Sequence, residues 1–230
     1  MDDLLERLAR FEKSSFPRFE PVYRQLVSEG QHPSTLFIGC SDSRLVPYLL
    51  MDCGPGELFL VRNVGNLVPP WDTAGDAHGT AAAIEFAVLN LRVRHIVVCG
   101  HSHCGAIRAL YEEPADEARH LRGWLKYARE AALPVTGSEG ALRRVEQRSV
   151  VLQLTRLMTY PMVQRRVEQG ELFLHGWHYL LEEGQVLVFD AVSGRFVPAD
   201  ESSRDADTAS AARAQIDARA WSDLPVTAGR

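Results

Sequence analysis

The stretch "HGTAAAIEFAVLNLRVRHIVVCGHSHCG", residues 78–105, changes its hydrophobic period once, and the fold turns on that change. Its first half places Ile84, Val88 and Leu91 three or four residues apart among alanines, the spacing of a helix laid on an apolar surface. "RHIVVCG" is then apolar without alternation, as a strand buried on both faces is. Two earlier runs, "STLFIGC" and "GELFLVRNVGN", have the same character and are bounded by Gly, Pro or charge. A strand, a helix and a strand in succession predict a parallel sheet, because parallel neighbours need a long crossover.

Working outward, "PADEARHLRGWLKYAREAAL" and "EGALRRVEQRSVVLQLTRLMTY" predict two helices, the second punctuated by Pro161 near its end. "ELFLHGWHYL", "EEGQ" and "VLVFDA" read as strand, tight turn and strand, an antiparallel addition to the sheet. Towards the amino terminus, Leu4, Leu5, Leu8 and Phe11 mark one short helix, and a second runs from about Phe19 to Ser28 and ends at Gly30. "SSFPRFEP" would join them. The expected fold class is α/β: a mostly parallel central sheet with an antiparallel edge strand, flanked by helices, plus an amino-terminal helical arm. Residues 1–30 form that arm, 31–197 one domain, and 198–230 a tail whose Ala, Asp, Ser and Arg content predicts mobility, with a short helix near Ala211 to Trp221.

At 230 residues with 46% hydrophobic content the chain can bury a real core, and a net charge of −5 without a basic stripe excludes nucleic acid as a natural partner. No apolar run reaches the roughly 20 residues of a membrane span. The acidic start "MDDLLERLAR" does not read as a signal peptide, so the cytoplasm is the expected location. In that compartment four cysteines, Cys40, Cys53, Cys99 and Cys104, point to metal or catalysis before disulfides.

Cys40 ends the first predicted strand, while His101 and Cys104 follow the third. In open α/β sheets ligands gather at such carboxyl ends, which makes these three residues candidates for one metal. Two thiolates and an imidazole suit zinc and leave a fourth position for water or substrate. Cys99 reads as core, and Cys53 lies in a turn. Asp42 and Arg44 follow Cys40 closely. The aspartate would either bind the metal as a fourth ligand or accept a hydrogen bond from a zinc-bound hydroxide, and a bidentate pairing with Arg44 would hold it off the metal. Two thiolates cancel the charge of zinc, so activity should rise toward alkaline pH.

"CSDSR" (residues 40–44) followed by "HSHCG" (residues 101–105) resembles the β-class carbonic anhydrases, and the likeness runs from about Gln31 to about Asp190 through "GELFLVRNVGNLVPP", "TYPMV" and "LHGWHYLLEEGQVLVFD". That resemblance implies reversible hydration of CO2 to bicarbonate and a proton, with one Zn2+ per chain on Cys40, His101 and Cys104. A zinc hydroxide oriented by the dyad Asp42 and Arg44 attacks CO2 in the family scheme. Gln31 matches a substrate-binding glutamine, and Phe59 and Val64 match the apolar wall of the CO2 pocket. Phe86 stands where many members have tyrosine, so a hydrogen bond there is absent. Phe37, Gly39 and Tyr179, with Arg62 nearby, are an incomplete version of a second, inhibitory bicarbonate pocket. His103 is either a proton relay or an exposed helix-start residue. The family also implies a homodimer or larger homo-oligomer. A CS2 or COS hydrolase on the same site, or a non-catalytic zinc-containing sensor of CO2 or bicarbonate, are the competing readings.

Overall fold

The structure is a computed structural model describing residues 3–71, 78–112, 115–134 and 138–202. Six strands make one sheet: β1 Thr35–Cys40, β2 Leu58–Asn63, β3 His95–His101, β4 Phe173–Leu180, β5 Gln185–Asp190 and β6 Arg195–Pro198. The order is β2-β1-β3-β4-β5-β6, with β1 to β4 parallel and the pairs β4/β5 and β5/β6 antiparallel. The antiparallel edge thus holds two strands where the sequence predicted one. Gly194, with φ of 67°, turns the chain and lays Arg195–Pro198 on β5.

Eight α-helices accompany the sheet in the described residues: α1 Leu4–Arg10, α2 Phe16–Glu29, α3 Pro47–Leu50, α4 Gly79–Glu85, α5 Gly105–Arg108, α6 Arg119–Leu125, α7 Glu139–Leu157 and α8 Pro161–Glu168. The crossover α4 continues through a π-helical turn, Phe86–Asn90, and buries Ile84, Ala87 and Val88 against Leu36 and Ile38 of β1 and Ile96 and Val98 of β3. Each of these large aliphatic side chains contributes about 1.5–3 kcal/mol by leaving water. Truncating Ile38 to alanine would therefore cost about 2–5 kcal/mol.

Three helical expectations are corrected. The amino-terminal arm is one continuous helical run: α1, capped by Asp3, passes through a π-helical turn at Phe11–Ser15 straight into α2. Pro17 sits in the first turn of α2, where its missing N–H costs little, and the wide turn, with Phe16 N–H donating to the Phe11 carbonyl, makes room for the ring. The run ends at Gly30, φ 85°, as its glycine predicts. Second, α6 is short and tightens into a 3-10 run, Lys126–Ala131, because side chains of Gln153 and Arg156 take the Tyr127 carbonyl that an α-helix would use. Third, α7 stops at Leu157, and Pro161 opens a separate helix, α8. The helix expected near Ala211 to Trp221 lies outside the described residues.

Two glycines set α7 close to the sheet. A Cβ on Gly100 would stand 2.7 Å from Val150, and one on Gly176 would stand 3.0 Å from both Val150 and Leu154. The helix therefore rides directly on β3 and β4.

Candidate metal centre

The chain leaves β1 for β2 on one side and reaches β3 on the other, so a crevice opens at the carboxyl ends of β1 and β3. Cys40 is the last residue of β1, His101 the last of β3, and Cys104 immediately precedes α5. Their ligand atoms all lie within 4.8 Å of one another, and all three residues are buried. His101 Nδ1 donates to the Ser102 carbonyl at 2.8 Å, which fixes the tautomer and leaves Nε2 as a lone pair. That buried Nε2 has no hydrogen-bond partner. A lone pair aimed at two sulfurs in a dry site fits a cation that takes soft and borderline ligands.

The thiols agree with this. The Cys104 thiol donates to Cys40 and, outweighing burial, holds it below the usual thiol range, with the amides of Asp42 and Gly65 assisting. Cys104 is pushed up in turn, chiefly by the same hydrogen bond. A divalent cation bound by both sulfurs would replace the proton that they share.

Arg44 pairs with Asp42 in bidentate fashion, Nε to Oδ1 at 2.9 Å and Nη2 to Oδ2 at 2.7 Å, and its own N–H donates to Oδ1 at 3.0 Å. These bonds hold the Asp42 carboxyl well below the usual carboxylate range. Asp42 Oδ2 is 3.8 Å from His101 Nε2, close enough to reach a group at the crevice. The Arg44 guanidinium also donates to the His103 carbonyl at 3.1 Å and so ties the two strand ends together.

Arg62, expected near Phe37, Gly39 and Tyr179, is the register partner of Gly39, and its side chain bonds backbone: Nε donates to the Cys40 carbonyl at 3.0 Å and Nη2 to the Asp42 carbonyl at 2.6 Å. It clamps the backbone that carries Cys40 and Asp42. One charged residue in the apolar strand "LFLVRN" was the signal for this role. The Phe37 ring fills the space over Gly39, 2.8 Å from where a Cβ would stand, and meets Trp177 edge-on. His103 adopts φ of 57° and turns its ring to Glu182, 3.3 Å away at the surface. Cys99 is core, its thiol pushed up by burial, and Cys53 stands apart in its turn.

The remaining predicted site residues divide. Val64 follows Asn63, the register partner of Cys40, and is beside the crevice. Gln31 is exposed, before the start of β1, whose length alone is about 17 Å at 3.3–3.4 Å per residue. Phe59 pairs with Leu36, four positions down the strand from Asn63, and stacks on Phe86 with centroids 5.7 Å apart. Within one chain these three residues are not brought to the metal ligands.

The carbonic anhydrase family model matches residues 35–186, which include all three ligand positions. A carbonic anhydrase of Pseudomonas aeruginosa is 40% identical over 203 residues, covering 86% of this chain and 91% of that protein. One from Synechocystis is 38% identical over 205 residues, covering 86% and 74%. The solved β-carbonic anhydrase CcaA superposes with a TM-score of 0.80 at 38% identity, over 87% of this chain and 92% of that one. The chain belongs to the β-class carbonic anhydrases. It is therefore a lyase by family, and the six-stranded mixed sheet is the fold of its class. A tetrameric β-carbonic anhydrase of Sordaria macrospora is a more distant likeness, with a TM-score of 0.70 at 26% identity over 85% of this chain and 100% of that one.

Proposed function

We propose that the protein interconverts CO2 and bicarbonate using zinc held by Cys40, His101 and Cys104. The observation that carries this reading is the buried, tautomer-fixed, unpartnered Nε2 of His101 beside two thiols. Zinc in such a set would supply a Lewis acid that lowers the pKa of water, less strongly than among three neutral histidines because two thiolates offset its charge. Asp42 stays ionised beside Arg44 and, as a pure acceptor, orients the attacking oxygen by taking its hydrogen bond. Arg44 keeps that carboxylate from turning onto the metal as a fourth ligand, and Arg62 fixes the backbone beneath both groups.

The CO2 pocket is completed by a second copy of the chain. Gln31, Phe59 and Phe86 lie too far from their own ligands, and Leu4, Leu5, Leu8 and Phe11 of the arm face solvent, an apolar surface suited to a partner. The solved relative described as tetrameric supports a homo-oligomer. In this arrangement Phe59, Phe86 and Val64 form an apolar wall for a molecule without net charge or dipole, and the Gln31 amide meets bicarbonate. Four free cysteines suit a reducing cytoplasm.

Stopped-flow CO2 hydration from about pH 6.5 to 9, the range in which water activated by such a site would titrate, with zinc content measured on the same sample, tests the proposal. One zinc per chain and a rate that rises with pH are expected. Bound zinc with no hydration at any pH would sink it, and CS2 and COS would then be the substrates to assay.

A further inference from the structure

A buried polar pair touches the metal-holding loop without belonging to the ligand set. Glu146, on α7, accepts the Cys104 backbone N–H at Oε1, 2.9 Å away. His178, on β4, donates from Nε2 to the other oxygen, Oε2, at 3.1 Å. Glu146 is 4% exposed and His178 0%, so neither is bonded to bulk water. The second ring nitrogen of His178 has no partner, and Phe196 packs edge-on against the ring.

A carboxylate in the interior needs its hydrogen bonds filled, and an imidazole that makes one bond at this depth is a poor choice for packing alone. What the pair does structurally is specific. Cys104 follows His103, whose backbone is held at φ 57°, so the turn that presents the Cys104 sulfur is a conformation side-chain-bearing residues rarely adopt. The Glu146 carboxylate grips the amide at the end of that turn, and His178 fixes the rotation of the carboxylate. Gly100 and Gly176, by letting α7 lie on the sheet, bring Glu146 within reach of both.

We propose that His178 is a positioning residue for the metal centre: through Glu146 it pins the Cys104 amide and sets how firmly that thiolate is held toward the metal. This rests on the metal reading above. Groups one bond behind a ligand commonly change metal affinity by about 10–100-fold.

The test is the rate at which zinc-loaded, full-length protein gives up its metal to an excess of a colorimetric chelator. His178→Phe, which keeps the ring volume, should release zinc about tenfold faster or more, while His178→Gln, whose amide N–H still reaches Glu146, should recover most of the loss. Glu146→Leu should release zinc as fast, and the double variant no faster than the faster single, because both remove one linkage. A folded His178→Phe that releases zinc at the wild-type rate would overturn the inference and leave His178 as packing. If His178→Phe fails to fold, His178→Gln against the shorter His178→Asn decides in its place, with equal release rates overturning the proposal. A wild-type protein that binds no zinc would instead overturn the metal reading, so the two failures are distinguishable.

Discussion

The two ends of the sheet differ in how complete they are within one chain. At the carboxyl ends of β1 and β3, Asp42, Arg44, Arg62 and Glu146 are all bonded, and the unpartnered His101 nitrogen faces the thiols. Along the arm and the outer edge of the sheet, by contrast, apolar side chains meet solvent: Leu5 is 69% exposed, Leu8 58%, and Phe86 43% although it stacks on Phe59. The candidate metal ligands are brought together by the fold of a single chain, whereas the apolar side chains of the arm and of Phe86 stay exposed in it. A polar site can be finished by hydrogen bonds over short spans, but an apolar face is finished only by area.

The largest effects should come from the finished end. Cys40→Ser or His101→Ala should lose zinc and bring CO2 hydration to the uncatalysed background, with far-ultraviolet circular dichroism unchanged, since the sheet core is aliphatic. Wild-type activity in either variant would break the comparison at its root. Asp42→Ala and Arg44→Ala should keep most of the zinc and lose roughly 100-fold in kcat. The pH profile separates the two. Arg44 depresses the Asp42 pKa, so the stability of that pair is present above the unfolded value of about 4 and is lost only as pH falls through the lower folded value. Removing Arg44 lets Asp42 titrate nearer its ordinary value, and an acid step should appear there that the wild type lacks.

Intermediate effects should come from the unfinished end. Leu8→Glu with Phe11→Glu should shift sedimentation to a smaller species and lower activity in proportion to the partners lost. Mixing inactive Cys40→Ser chains with Gln31→Ala chains sharpens the point. If the pocket is shared, mixed assemblies contain a site with intact ligands from one chain and an intact glutamine from the other, and activity should return. No recovery after verified subunit exchange would place Gln31 outside the site.

These differences also explain what the sequence made legible. The candidate metal ligands follow from short spacings plus one topological inference, because a parallel order with β1 between β2 and β3 brings the ends of β1 and β3 together. The bidentate Asp42–Arg44 geometry follows from a separation of two residues. Arg62 was less legible, since its partners are backbone carbonyls, which leave no mark on side-chain pattern. The link from Cys104 through Glu146 to His178 was invisible for a similar reason: Glu146 reaches the Cys104 amide and the His178 ring only because glycines on two strands admit α7, a contact set by packing and not by periodicity. The π-helical turn in the arm was hidden by Pro17, which reads as a break in any local scan but costs little once a wide turn precedes it.

Glu182 gives the smallest expected effect and the finest test of the contrast. Its carboxylate accepts from Ser102 Oγ at 2.7 Å and from Arg143 at 3.1 Å, so it too stands one bond behind the residues around the candidate metal centre, but at the surface. The Ser102 hydrogen bond first, with the backbone, brings its pKa down to about 2. Since the folded value is the lower one, Glu182 stabilises the protein above its unfolded value of about 4.3 and loses that contribution as pH falls through about 2. Its side chain is 43% exposed, and solvent screening keeps the contribution under about 1 kcal/mol. Glu182→Gln should therefore lower the thermal midpoint slightly at pH 7, lower it less near pH 3, and leave zinc release at the wild-type rate. If instead it speeds zinc release as much as His178→Phe, burial is not what makes a residue behind a ligand matter, and the grip on the metal loop would have to be shared between the interior and the rim.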